Sequence, residues 1–151
     1  MTYCSTKTYG HDLGLSACFR QPKAQSHCNQ LHGYALAFRI EFEADVLDER
    51  GGVVDFGSLK SFKGWLENTF DHKLLVAKDD PALPVIQKLD EAGIADLVLV
   101  DAVGCEAFAK LVYECAVIWL KDNGYSPRVR VASVECREHG ANSAIYFDNG
   151  A

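Results

Sequence analysis

Cys28 lies within Ser26-His27-Cys28-Asn29-Gln30-Leu31-His32-Gly33-Tyr34, at the end of a polar stretch from Arg20 to Gln30 that reads as a loop. A thiol there is reachable, and an imidazole or cation beside it would raise the thiolate fraction that a base or nucleophile needs. The plainer alternative is a small packed hydrophobe. Asp71-His72 is the second pair with chemical content, an imidazole that a carboxylate could orient for proton transfer near neutral pH; its plainer reading is a helix-terminal His beside a turn Asp. The third is Glu135. In its strand, Val129, Val131, Ser133 and Glu135 share one parity, so the carboxylate extends a largely apolar face. A ligand with two adjacent N–H donors, such as a pterin or guanine edge, would satisfy both its oxygens; a structural ion pair or a solvated strand end is the alternative.

These residues need elements to hold them. From Leu36 the chain alternates cleanly, with Leu36, Phe38, Ile40 and Phe42 on one side and Ala37, Arg39, Glu41 and Glu43 on the other, the period of a half-buried strand. A weakly patterned strand is expected within Tyr3 to Phe19. Ser58 can cap a helix whose Leu59, Phe62, Trp65, Leu66 and Phe70 follow helical spacing. Asp79 to Ala95 reads as a long connection with one short helix. Phe108, Leu111, Val112, Cys115, Ala116 and Trp119 recur at three and four residues, and Gly124 supplies a left-handed stop. Arg128 to Cys136 and Ala144 to Phe147 read as strands joined through a turn at His139-Gly140-Ala141-Asn142. The order is ββααββ, an antiparallel α+β sandwich with two helices on one face.

Bulk composition narrows the classes. The 151 residues, 48% hydrophobic and 24% charged, suit one globular domain over 1–151. No apolar run approaches the ~20 residues that span a bilayer, so a soluble protein is expected and no membrane partner. No basic segment followed by an apolar core opens the chain, which points to the cytoplasm. Six scattered cysteines read as free thiols. A net charge of −6 without a Lys/Arg cluster argues against a nucleic-acid partner.

Taken together, the motifs carry a likeness. Leu15-Ser16-Ala17-Cys18-Phe19-Arg20, Cys28 with Leu31-His32-Gly33, Val54-Asp55-Phe56-Gly57-Ser58-Leu59-Lys60, Asp71-His72-Lys73-Leu74, Gly104-Cys105-Glu106 and Val134-Glu135 resemble, in order and spacing, the 6-pyruvoyl/6-carboxytetrahydropterin synthase family over nearly the whole chain. That resemblance implies the tunnelling fold, in which three subunits join their sheets into a barrel, two trimers stack into a homohexamer, and active sites lie between subunits. It implies action on 7,8-dihydroneopterin triphosphate, with triphosphate elimination and side-chain cleavage, in bacteria often toward 7-deazapurines such as queuosine. By the same likeness Cys28 would move protons at the side chain, Asp71 and His72 would form a relay, and Glu135 would anchor the pterin with Glu106 close by.

The chain departs from the family at the metal. Family enzymes hold zinc with three histidines, of which only His32 matches; Phe19 and Tyr34 stand at the other two positions, and neither is a routine zinc ligand. Cys18 points to the opposite strand face from Phe19, so His27 is the candidate substitute ligand, with Cys28 as a further one. Cys105 replaces a family Thr or Ser. Three functions are therefore expected: a lyase of the 6-carboxytetrahydropterin synthase type with its zinc altered or replaced, a non-catalytic pterin- or purine-binding paralogue, or an aldol-type cleavage carried by a thiolate and a His without metal.

Overall fold

The computed structural model describes residues 1–147 and 149. Its strands are β1 (Tyr3–Tyr9), β2 (Leu15–Phe19), β3 (His32–Ala44), β4 (Lys73–Ala77), β5 (Leu97–Val100), β6 (Val129–His139) and β7 (Asn142–Phe147); its helices are α1 (Lys60–Phe70), α2 (Leu83–Glu91) and α3 (Cys105–Asp122). The sheet runs β5-β4-β2-β3-β6-β7, and β1 pairs with the second half of β3. Thirteen residues long, β3 is the spine, receiving β2 along its first half, β1 along its second and β6 on its other edge.

The single weak strand expected within Tyr3 to Phe19 is two strands. Gly14, at φ 74°, ends a 3-10 turn at His11–Leu13 and reverses the chain between them. Two further strands, β4 and β5, pair in parallel, β4 with β2 and β5 with β4, so the sheet is mixed rather than purely antiparallel. A third helix follows from the same segment. Leu75 and Ala77 join the main core, while Leu74 and Val76 pack with Ile86 of α2, so β4 is buried on both faces. Thus α1 and α3 cover one face of the sheet and α2 the other, where the sequence pattern points to two helices on one face. A strand buried on both sides is a continuous apolar run without alternation, which leaves no period to read.

The helix face is packed with rings: Phe19 meets Phe108 edge-on at 5.1 Å between centroids, Phe108 meets Phe70 at 5.4 Å, and Phe70 meets Phe38 at 4.9 Å. Asp55, rather than Ser58, supplies the capping oxygen before α1, accepting the Gly57 N–H at 3.0 Å. Ser58 instead donates its hydroxyl to the Asp55 carbonyl at 2.6 Å. After α3, Gly124 takes φ 77°, the left-handed stop its position predicts.

A β-bulge decides what β6 presents. Phe42 pairs with Val131 and Glu41 with Ser133, so Ala132 is an extra residue and the side-chain parity inverts there. Val129 and Val131 face the helices before it; Val134 and Cys136 face them after it. Glu135 therefore does not extend the apolar face. It lies on the opposite side, where its Oε2 accepts from Arg137 at 3.1 Å and from Ser143 at 2.8 Å.

Candidate active site

On the helix side of β2 and β3, alternation brings Phe19, His32 and Tyr34 together. Their ring centroids form a triangle of 5.2, 6.1 and 5.5 Å. Gly33 lets the strands approach this closely, since a Cβ there would sit 2.7 Å from the Ala17 carbonyl oxygen. The triangle forms one wall of a cavity of about 300 Å3 that also touches Cys28, Gln21, Glu106 and Glu138, within the range of small-molecule sites.

Cys28 reaches this cavity from a 3-10 turn, His27–Asn29, capped by Ser26, whose hydroxyl accepts the Cys28 N–H at 3.3 Å. The loop is clamped from a distance. Arg20 donates two parallel hydrogen bonds to Asp80, at 2.9 and 2.8 Å, and a third to the Asn29 carbonyl at 2.7 Å. The Asp80 side chain is 1% exposed, and the Arg20 fork, opposed by burial, holds its carboxyl below the usual carboxylate range. Gln21 adds a hydrogen bond from its amide to the Val103 carbonyl at 3.2 Å, tying the same loop to the segment before α3.

The first residues of α3 close the cavity. Gly104 is at φ 112°, a conformation that other residues rarely adopt, and it delivers Cys105 and Glu106 to the rim. The neighbouring Cys136 thiol, with the Glu138 backbone, outweighs burial and the Glu138 and Glu106 charges and lowers the Cys105 pKa. Cys105 first, and then burial, push that of Cys136 up. The sequence pattern missed Glu138 as a cavity residue because the bulge at Ala132 puts it, not Glu135, on this face. Ser143, which also borders the cavity, links Glu135 to its rim by the hydrogen bond above.

The donor set does not fit zinc. The three positions that would carry imidazoles present one imidazole, a phenyl ring and a phenol, and burial, then the nearby Glu138, Cys28 and Cys105 charges, raise the Tyr34 pKa and keep the phenol protonated. His32 donates Nδ1–H to the Gln30 carbonyl at 2.8 Å, which leaves Nε2 as its single acceptor. His27 is not among the residues bordering the cavity, and Cys18 packs on the other face with Leu74 and Val76. Among the described residues no three His, Cys, Asp or Glu groups converge as a metal site.

Asp71 and His72 are placed elsewhere. They follow α1, and His72 borders a separate hollow of about 390 Å3 with Ser16, Cys18, Gly33 and Lys73. Asp71 Oδ1 accepts the Ser16 N–H at 3.1 Å and His72 Nδ1–H at 2.9 Å. The Ser16 bond first, then the His72 bond and the His72 and Lys73 charges, lower its pKa against an opposing burial cost. His72 sits at φ 58°, left-handed for a non-glycine residue, with its side chain 85% exposed. Within one chain Cys28 and His72 thus border different cavities.

A mixed sheet with helices on both faces and a thiol, imidazole and carboxylates gathered at the start of β3 define an α+β protein of the tunnelling-fold class, and comparison gives the family. Residues 11–149 match the family described as 6-pyruvoyl tetrahydropterin synthase, and the chain belongs to it. A 6-carboxy-5,6,7,8-tetrahydropterin synthase from Aquifex aeolicus is 29% identical over 136 residues, 88% of this chain and 83% of that one. Another of that name, from Rickettsia bellii, is 42% identical over 57 residues, 37% of this chain and 41% of that one, so the chain covers less than half the length of that relative. In fold, an uncharacterized protein from Wolinella succinogenes superposes with a TM-score of 0.82 at 19% identity over 99% of both chains. A Plasmodium vivax 6-pyruvoyltetrahydropterin synthase gives 0.67 at 13% identity over 99% of both. No helix among the described residues is long and apolar enough to cross a membrane.

Proposed function

We propose that this protein is a pterin lyase of the 6-carboxytetrahydropterin synthase type, acting on 7,8-dihydroneopterin triphosphate or a related dihydropterin by triphosphate elimination and side-chain cleavage, toward 7-deazapurine (queuosine) or pterin products. The carrying observation is the cavity in which Cys28 stands with His32, Glu106 and Glu138; the names of the relatives support the same reading. Cys28 moves protons at the substrate side chain. Asp71 holds His72 Nδ1–H, so Nε2 is the nitrogen that takes or gives a proton. Because the two groups border different cavities of one chain, the working assembly brings His72 of one copy to Cys28 of another, in a homohexamer located in the cytoplasm. Glu135 anchors the pterin edge from the far side of the rim, to which Ser143 ties it, while Glu106 and Glu138 are the carboxylates that the cavity itself offers. A drop in pterin affinity in Glu135→Gln, with Glu138→Gln unchanged, checks that assignment; the reverse pattern moves the anchor to Glu138.

No step is routed through zinc, because the donor set does not fit it. Metal supplies Lewis-acid polarisation in such sites, a contribution of several kcal/mol, and the chain's own thiol, imidazole and carboxylates are what remain to do the chemistry. The aromatic triangle of Phe19, His32 and Tyr34 favours a second reading, a pterin- or purine-binding paralogue without turnover. Turnover assays with 7,8-dihydroneopterin triphosphate separate the two. Loss of product formation in Cys28→Ala with pterin binding retained supports the lyase, and no turnover by the unsubstituted protein that still binds pterin supports the binder.

A further inference from the structure

A cavity of about 350 Å3 opens where the end of β1 meets the 3-10 turn before α1, and Lys7, Lys60 and Lys63 border it. It shares no residue with the cavity at Cys28 or the hollow at His72. The chain carries 21 acidic residues against 15 basic ones, so three ammonium groups around one opening run against the overall charge. Lys23, Lys73, Lys78 and Lys110 each meet a carboxylate. Among the described residues Lys7, Lys60 and Lys63 form no ion pair; Lys7 lies over the Tyr9 ring, 5.7 Å from its centroid. Lys60 and Lys63, three apart on α1, share a face. Asp12 is the single carboxylate on the rim.

Tyr9, which also borders this cavity, is 4% exposed and packs against Phe62. Its hydroxyl is buried without a hydrogen-bond partner. Leaving such a group unpaired is unfavourable, and a ligand oxygen is a ready partner. Burial pushes the phenol pKa up to about 12, so the group is an O–H donor at any physiological pH.

We propose that this cavity binds a phosphoryl anion of two or more negative charges, with Lys7, Lys60 and Lys63 supplying the countercharge and the Tyr9 hydroxyl an orienting hydrogen bond. Three flexible point charges without an Arg fork suit a compact oligophosphate better than a planar carboxylate. The anion has two sources: the oligophosphate tail of a pterin substrate, or a free oligophosphate.

Calorimetric titration of the full chain with inorganic tripolyphosphate tests this without any turnover, so failure of the Cys28 chemistry leaves the readout intact. Saturable, salt-sensitive binding is expected, weakened about tenfold in Lys60→Gln/Lys63→Gln and unchanged in Lys88→Gln/Lys121→Gln, a control pair of lysines away from the cavity. Tyr9→Phe should keep or raise the thermal midpoint of the free protein, because it deletes an unsatisfied hydroxyl, and yet weaken tripolyphosphate. Absence of saturable binding, or equal weakening in the two double variants, overturns the site; unchanged affinity in Tyr9→Phe overturns the part given to the hydroxyl. Competition between tripolyphosphate and 7,8-dihydroneopterin triphosphate identifies the substrate tail as the source, and simultaneous binding of both identifies a free oligophosphate.

Discussion

On the helix face of β2 and β3, Phe19, His32 and Tyr34 pack as rings beside Cys28 and the start of α3. On the other face, Ser16, Cys18 and Gly33 border the hollow that ends at His72. The first region is clamped from outside its own strands by the buried Arg20–Asp80 pair. The second is held by Asp71, whose carboxylate, with the His72 backbone N–H on the Ser16 carbonyl at 2.6 Å, ties the end of α1 to the start of β2 and orients an exposed imidazole. One chain therefore places Cys28 and His72 on separate surfaces. Residues that stand in one motif set along the sequence are parted by the sheet, and on the proposed reading they meet only between copies.

The largest effects should come from the groups to which the proposed function assigns the chemistry. Cys28→Ala and His72→Ala should each lower turnover of 7,8-dihydroneopterin triphosphate on the order of 10^3-fold, read by product formation, with circular dichroism unchanged. Removing the clamp is a stability experiment instead. Asp80→Asn leaves the Arg20 charge half-buried and should cost about 3 kcal/mol, read by urea denaturation, whereas Asp71→Asn, at a more exposed pair, should cost less than Asp80→Asn.

The same pairs set the acid response. Asp80 and Asp71 have lower pKa values folded than unfolded, so the unfolded chain binds protons first as pH falls. Their stabilisation is full above the ordinary carboxylate value of about 4 and is lost as acid titrates the folded groups. Thermal midpoints measured downward from pH 6 should fall, and Asp80→Asn should flatten that fall. Smaller still, Gly33→Ala should cost about 1–3 kcal/mol by pushing a Cβ against the Ala17 carbonyl. The double substitution Phe19→His/Tyr34→His should bring two further imidazoles beside His32, and zinc uptake near one per chain, measured by metal analysis after dialysis, would show the ring triangle to be a metal site converted to packing.

How much of this the sequence revealed depended on distance along the chain. The alternation of β3, the spacing of α3 and the stop at Gly124 are local patterns, and they were legible. The strands β4 and β5 were not, because burial of β4 on both faces erases its alternation and the pairing partners lie far apart in sequence. Glu135 was placed on the wrong face by a parity count that held up to Val131 and failed at Ala132, where one extra residue inverts everything after it. The Arg20–Asp80 clamp joins residues sixty positions apart, with no local signal. Cys28, His32, Asp71 and His72 were visible by type and motif. That they fall on two faces was not, since only the folded sheet separates them.

Mixing inactive variants asks whether Cys28 and His72 work together across a boundary between copies. Cys28→Ala and His72→Ala proteins, unfolded together and reassembled, should recover a substantial fraction of wild-type turnover of 7,8-dihydroneopterin triphosphate, because some interfaces would join an intact Cys28 to an intact His72. A mixture as inactive as either variant alone, from subunits shown to have co-assembled and with the wild type active, would contradict the account.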